Sequence, residues 1–69
     1  MDSIEKLGQA IKERRVLLGI TQEDLAQISG TSLRSLKAME KGMANPSWQL
    51  TTKVLQALGW KLELKELKE

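Results

Sequence analysis

The chain has 69 residues and a formal net charge of +2 at neutral pH, and it contains neither cysteine nor histidine. A chain of this length forms one domain, which is marginally stable as a monomer and too small for a large core beside a substrate pocket. Without cysteine or histidine it lacks disulfides, an imidazole base and the usual zinc ligands. We therefore expect a self-associating protein that is not an enzyme and has no cofactor or metal.

The apolar runs of the sequence exclude a membrane-spanning segment. The longest run, residues 16–20, is far shorter than the roughly 20 apolar residues that a bilayer crossing needs. Asp2 and Glu5 give the first residues an acidic character that is atypical of a signal peptide. These features predict a reduced, soluble, cytoplasmic protein.

The first predicted helix covers residues 3–18, with Asp2 or Ser3 as its N-cap and Gly19 as its terminator. Gly8 lies inside this helix, where glycine costs about 0.5–1 kcal/mol relative to alanine, so we expect it to mark a close contact with another helix. Four apolar residues share one stripe, which is the predicted buried face: Ile4, Leu7, Ile11 and Leu18.

The middle of the chain predicts two short helices, residues 22–29 and 33–40, joined by a tight corner. Thr21 is the N-cap of the first helix, Gly30 permits the left-handed backbone that a sharp corner requires, and Ser32 is the N-cap of the second helix. The predicted inward-facing residues are Leu25, Ala26 and Ile28 in the first helix and Leu36 and Met39 in the second.

The second of these helices has a polar outward face whose side chains can donate to phosphates or to base edges of DNA. Arg34 can bond bidentately to guanine, or it contacts a phosphate or solvent, whereas the flexible Lys37 and Lys41 are predicted phosphate contacts. Leu17 and Leu33 lie off the inward stripes, and Leu33 either touches a thymine methyl group or covers the helix corner. The candidate contact residues here are Thr31, Ser32, Leu33, Arg34, Ser35, Lys37 and Lys41.

A fourth helix is predicted at residues 48–58, after an Asn-Pro turn and with Ser47 as its N-cap. Trp48 shares an apolar stripe with Leu55 and Leu58, which predicts that the indole ring belongs to the core.

After Gly59 the period of the sequence changes from that of a helix to that of a strand. Trp60, Leu62 and Leu64 alternate with charged residues, which predicts a half-buried strand. Because no other segment is predicted to form a strand, its simplest partner is the same strand of a second chain across a two-fold axis. The alternative is a frayed or helical tail, since residues 65–69 are good helix formers.

A set of residues recurs at fixed spacings between Ile4 and Gly59: Gly19, Thr21, Gln22, Leu25, Ala26, Gly30, Ser32, Leu36, Glu40, Gly42, Asn45, Pro46, Ser47, Ala57, Leu58 and Gly59. With this set the chain resembles the Xre and Cro-type helix-turn-helix regulators, the family of many phage repressors. The resemblance implies a mainly α, compact, four-helix, lambda-repressor-like DNA-binding domain at residues 1–59. It also implies a dimerisation strand or tail at residues 60–69, as in antitoxin-like relatives.

The resemblance also implies roles for three residues outside the outward face of the second short helix. In the family an arginine at the position of Arg15 often pairs with the glutamate matching Glu40, whereas the charged run at residues 12–15 alone indicates a solvated face. Gln22 is implied to contact a phosphate and to buttress the recognition helix, or else it is an exposed polar residue at a helix start. Four polar residues, expected to weaken packing, replace the apolar residues usual in the family: Ser29, Thr31, Thr51 and Thr52.

The expected function is that of a sequence-specific regulator of transcription, most simply a repressor that binds an inverted-repeat operator in double-stranded DNA as a homodimer. The alternative is an antitoxin-type interaction module that binds and neutralises a toxin protein, with DNA binding autoregulatory or secondary.

Overall fold

The computed structural model describes residues 2–43 and 45–61, and within them the chain forms four helices. They are α1 (Ser3–Leu17), α2 (Gln22–Ser29), α3 (Leu33–Glu40) and α4 (Trp48–Ala57). The predicted bounds agree at every helix start, and the only differences are that α1 and α4 end one residue earlier. Trp60 and Lys61 form no strand, and the other residues of the predicted strand, Leu62 and Leu64, lie outside the described residues.

Each helix begins at a side chain that satisfies a free backbone N–H group. The carboxylate of Asp2 accepts a hydrogen bond from the N–H of Glu5 at 2.8 Å, and the hydroxyls of Ser32 and Ser47 play the same part for α3 and α4. At α2, Thr21 and Asp24 form a reciprocal capping box, and the N–H of Thr21 lowers the pKa of the Asp24 carboxyl. These caps set the helix starts through local chemistry.

One core holds the four helices together. α1 packs against α3, and α2 packs against both α3 and α4. The core therefore forms from helices that cover one another's apolar faces. Its buried hydrophobic residues are Ile11, Leu25, Ala26, Leu36, Met39, Val54, Leu55 and Leu58.

Three apolar residues that were predicted to face inward are instead on the surface, and Leu17 is exposed as predicted. Leu18 is 44% exposed because α1 has already ended, and Ile20 packs against the core after the turn. Ile28 is 61% exposed because the buried edge of α2 runs through Leu25, Ala26 and Ser29.

Trp48 is also an incorrect prediction, since it is 59% exposed rather than part of the core. It is the first residue of α4, and the inward position of that turn belongs to Thr51, which is buried. Leu33 was placed off the inward stripe, and it is half-buried against the core. Periodicity identifies a face of a helix, but it does not show how far the neighbouring elements extend along that face.

The polar residues that replace family apolar residues have partners for their hydroxyl groups. Ser29 donates to the carbonyl of Leu25 at 2.7 Å and lies 2.9 Å from the hydroxyl of Thr31. Thr51 donates to the carbonyl of Ser47 at 2.9 Å. Because a buried hydroxyl with a partner avoids most of its desolvation cost, Ser29 and Thr51 can occupy interior positions.

Gly8 marks a close helix contact, as its position inside α1 predicted. A side chain there would meet the carbonyl oxygen of Met39, and its Cβ would lie 2.9 Å from the carbonyl oxygen of Glu40. The absence of a side chain therefore lets α1 lie directly on the last residues of α3. Across the described residues, every helix falls short of the length and apolar content needed to cross a bilayer.

Replacing Gly8 with alanine is expected to destabilise the protein by about 1–3 kcal/mol, because a methyl group would push against backbone rather than against a movable side chain. This loss should outweigh the higher helix propensity of alanine. Urea unfolding of Gly8→Ala measures the effect, and Gln9→Ala, at an exposed position of the same helix, should change stability by less than about 0.5 kcal/mol. A more stable Gly8→Ala protein would contradict the close packing of α1 on α3.

Candidate nucleic-acid interface

The corner between α2 and α3 is built from local sequence and determines how α3 projects. Gly30 has a φ of 70° in the left-handed region, which turns the chain immediately after α2. Ser32 caps α3, and its hydroxyl also donates to the hydroxyl of Ser35 at 2.8 Å. Leu36, Met39 and Glu40 form the buried face of α3, and among the described residues the opposite face of this helix is exposed at Arg34 and Lys37.

The free face of α3 forms a groove with positively charged sides. Arg34, Lys37 and Lys41 are exposed on this groove, whereas Leu33 and Ala38 are half-buried in it. We call it the α3 groove; its lining residues are Leu33, Arg34, Lys37, Ala38, Lys41 and Met43. The structure thus brings together four of the residues predicted to contact DNA.

The other predicted contact residues on α3 lie beside this groove. Ser35 and Arg34 line a second depression between α3 and the start of α4, together with Asn45 and Ser47. Ser32 is exposed at the N-terminal end of α3, and Thr31 is half-buried next to the hydroxyl of Ser29. The predicted set therefore follows one end and one side of α3.

A buried carboxylate fixes the position of α3 relative to α1 and α2. Arg15 donates from Nε to Oε2 of Glu40 at 2.8 Å and from its terminal nitrogen to Oε1 at 3.1 Å. Gln22 donates to the same Oε1 at 3.1 Å. The side chains of Arg15 and Glu40 are 12% and 3% exposed, and the hydrogen bond to Glu40 raises the pKa of Arg15. The structure thus contains the pair that the family resemblance implied.

Arg15 also ties the turn after α1 to this cluster, since its other terminal nitrogen donates to the carbonyl of Ile20 at 3.0 Å. All three nitrogen atoms of the guanidinium therefore donate a hydrogen bond. A planar, bidentate pair of this kind gives a defined orientation that a single lysine contact does not give. We call Arg15, Gln22 and Glu40 the Glu40 cluster.

Arg14 has a structural position that sequence reasoning missed. The run at residues 12–15 indicated a solvated face, but Arg14 is half-buried and donates to the carbonyl of Leu58 at 3.1 Å. Its guanidinium carbon lies 5.6 Å from the centre of the Trp60 ring, a cation–π distance. Trp60, predicted as a dimerisation residue, is half-buried against the core of its own chain. A charge run alone contains no signal for this contact.

Two residues of the α3 groove, Ala38 and Met43, were also not predicted. Ala38 was overlooked because a small side chain carries no functional group, although it lies one helical turn after Arg34 on the same face. Met43 lies in the loop after α3 and is 77% exposed at the groove. The spacing from Arg34 to Ala38 was the one available signal.

Comparison with known proteins identifies the family. The model of a family described as helix-turn-helix matches residues 11–65, which is most of the chain. The chain belongs to the Xre-type helix-turn-helix family. The matched region includes the α2–α3 corner, the α3 groove and the Glu40 cluster.

Relatives and a solved structure agree with this assignment. An HTH-type transcriptional regulator of Methanothermobacter thermautotrophicus is 43% identical over 49 residues, 71% of each chain. Another, from Methanocaldococcus jannaschii, is 42% identical over 53 residues, covering 77% of this chain and 80% of the relative. The crystal structure of C.AhdI, a restriction-modification controller protein of Aeromonas hydrophila, superposes with a TM-score of 0.80. That match is 33% identical and covers 84% of this chain and 88% of C.AhdI.

Replacing Glu40 with alanine is expected to destabilise the protein by about 3–5 kcal/mol, because Arg15 would keep a half-buried charge without its partner. The double variant Arg15→Met/Glu40→Leu should recover much of that loss, since desolvation offsets most of what the ion pair contributes. Urea unfolding of the two variants and the parent chain tests both statements. An unchanged free energy of unfolding in Glu40→Ala would show that the cluster does not hold α3.

Proposed function

We propose that this protein is a sequence-specific regulator of transcription that binds double-stranded DNA through α3. The observation that carries the proposal is the exposed, cationic α3 groove on a helix whose opposite face is buried and tied to α1 and α2. An α-helix fits the major groove of B-DNA, and lysine and arginine beside it neutralise phosphates. The family is one of DNA-binding regulators, and no enzymatic activity is proposed.

The side chains of α3 are assigned to bases or to phosphates of the DNA according to their chemistry. Arg34 is assigned to the base edge of a guanine, because its planar guanidinium matches O6 and N7, although a phosphate offers it a comparable partner. Lys37 and Lys41 are assigned to phosphates on either side. The contact set is completed by Thr31, Ser32, Leu33 and Ser35 at the N-terminal end of α3.

Gln22 is assigned to a phosphate at the start of α2. Its side-chain amide carries two hydrogens, and the bond to Glu40 uses one of them. The second hydrogen is available to a phosphate oxygen at a helix N-terminus, where the helix dipole also favours an anion. One residue would then connect the DNA backbone to the cluster that positions α3.

We infer that the protein acts in the cytoplasm as a homodimer on an inverted-repeat operator, most simply as a repressor that occupies a promoter. The chain is small, and Leu62 and Leu64 alternate with charged residues, which favours a strand that pairs with a second copy. A two-fold dimer would place two α3 helices about 34–36 Å apart, in successive major grooves. The relatives described above are named as transcriptional regulators, and the similar crystal structure is that of a controller protein. We therefore do not propose toxin neutralisation for this protein.

The double variant Arg34→Ala/Lys37→Ala should bind operator DNA far more weakly than the parent, and the salt dependence of its affinity should become shallower. Each lost phosphate contact is expected to reduce the slope of log K against log salt by about 0.9. The operator for this measurement comes from selection out of a random duplex pool, with affinities then measured at several salt concentrations.

The matched control for the α3 groove is Lys12→Ala/Lys53→Ala, which removes the same net charge from exposed positions on α1 and α4. Its affinity and salt slope should stay close to those of the parent. Equal losses in the two double variants would mean that total charge, rather than the α3 groove, governs binding, and would contradict the proposed interface.

The double variant Leu62→Lys/Leu64→Lys should be monomeric and should lose most operator affinity, because charges would replace the apolar face of the intersubunit strand. Sedimentation over a range of concentrations measures the oligomeric state. The control variant Glu63→Lys changes the net charge by the same amount, but on the charged face of the proposed strand. This variant should remain dimeric. A dimer that persists at low concentration in the leucine variant would exclude this strand as the main interface.

A further inference from the structure

One side chain of α1, Arg14, lies against the three residues that follow α4. Its Nε donates to the carbonyl of Leu58 at 3.1 Å, and its guanidinium carbon lies 5.6 Å from the centre of the Trp60 ring. Between these two residues, a Cβ placed on Gly59 would lie 3.6 Å from a terminal nitrogen of Arg14. We call Leu58, Gly59 and Trp60 the α4 exit, because the chain passes through them from α4 into the tail.

The backbone of the α4 exit is held by hydrogen bonds as well. The N–H of Gly59 donates to the carbonyl of Gln56 at 3.0 Å, and that of Trp60 donates to the carbonyl of Leu55 at 2.8 Å. This pair of bonds is the Schellman arrangement of a helix end. The carbonyl of Leu58 lacks a partner within α4, and the guanidinium from α1 provides its donor. A cation is also favoured at this end of the helix dipole.

The chemistry of arginine suits both contacts of the α4 exit. A planar guanidinium can donate from its edge to a carbonyl while its charge faces an aromatic ring, and an ammonium group lacks this fixed geometry. The indole of Trp60 is itself half-buried against the core, so the ring cannot simply follow the arginine. Arg14 therefore fixes the direction of the α4 exit relative to α1.

α1 connects the α4 exit to the recognition helix through two consecutive residues. Arg14 holds the α4 exit, and Arg15 binds the carboxylate of Glu40 at the end of α3. Within one chain, the start of the tail and the orientation of α3 are therefore referred to the same helix. If two chains pair through their tails, the distance and angle between the two α3 helices depend on both contacts.

We propose that Arg14 is a positioning residue that determines which spacing between two half-sites the protein accepts. This proposal rests on the proposed function, since it assumes a homodimer on an inverted repeat. Inserting one base pair moves a half-site by about 3.4 Å along the DNA axis and rotates it by about 34–36°. A dimer with firmly held α4 exits fits one spacing, whereas a dimer whose exits can turn fits several.

A series of duplexes that differ in half-site spacing tests this proposal. The starting duplex is the inverted repeat that the parent protein enriches from a random pool, and base pairs are inserted or removed one at a time at its centre. We expect the parent's affinity to fall about tenfold or more for a change of one base pair, as for one mismatched base pair in a specific site. Arg14→Ala should lose less than about threefold for the same change, below the cost of a typical mismatch.

Two further variants separate the contact from charge and from folding. Lys12→Ala removes the same charge from an exposed position of α1, and it should keep the parent's spacing preference. Trp60→Leu retains an apolar side chain and the charge of Arg14 but removes the ring, and it should also accept several spacings. Urea unfolding shows that each variant is folded, and Trp60→Leu provides the same test if Arg14→Ala does not fold.

The shape of the spacing profile decides the outcome. If Arg14→Ala binds every spacing more weakly by one common factor, Arg14 only stabilises the domain and the inference is wrong. A parent protein that binds all spacings equally would also overturn the inference, while DNA binding through α3 would stand. Failure of the parent to enrich any duplex would refute the proposed function together with this inference.

Discussion

The carboxylate of Glu40 is the point on which the arrangement of the first three helices depends. It is buried at the end of α3, where it accepts hydrogen bonds from Arg15 of α1 and Gln22 of α2. The backbone of the same residue lies against Gly8, so α1 contacts Glu40 through both a side chain and a close backbone approach. A buried ion pair of this kind positions more than it stabilises, because desolvation offsets much of its Coulomb energy. Its consequence is a fixed angle for α3, whose outer face is exposed within the part of the chain that the structure describes.

A second arginine of α1, Arg14, connects this helix to the residues that follow α4. Arg14 and Arg15 are about 100° apart around the helix, so their side chains leave α1 in different directions. Arg15 reaches α3, whereas Arg14 reaches the carbonyl of Leu58 just after α4 and the ring of Trp60. The start of the tail is therefore held in a defined place relative to α3. In the proposed dimer, this connection would transmit the geometry of tail pairing to the spacing between the two recognition helices.

Much of the fold could be predicted because the signals that set it are local. Asp2, Thr21, Ser32 and Ser47 each cap a helix within three residues of their own position, and the predicted helix starts were all correct. Trp48 was misplaced because burial depends on where neighbouring helices end, and periodicity carries no information about that.

The candidate site shows the same division between local and non-local signals. Arg34, Lys37 and Lys41 were identifiable because they carry charge on one helix face, and the structure places them around one groove. The pairing of Arg15 with Glu40 spans 25 residues of sequence and was expected only from the family resemblance. Ala38 and Met43 line the same groove, but their uncharged side chains carry no chemical signal that the sequence alone could reveal.

The two faces of α3 separate stability from recognition. Leu36, Met39 and Glu40 connect the inner face to the rest of the domain, so changes there alter folding and the orientation of the helix together. Exposed side chains on the outer face, such as Arg34 and Lys37, can be exchanged with little effect on the core. A helix of eight residues is too short to be stable alone, so this separation is possible only because its inner face is held by α1 and α2. In the proposed function, specificity for a base sequence would then change through a few outer side chains without any change in the fold.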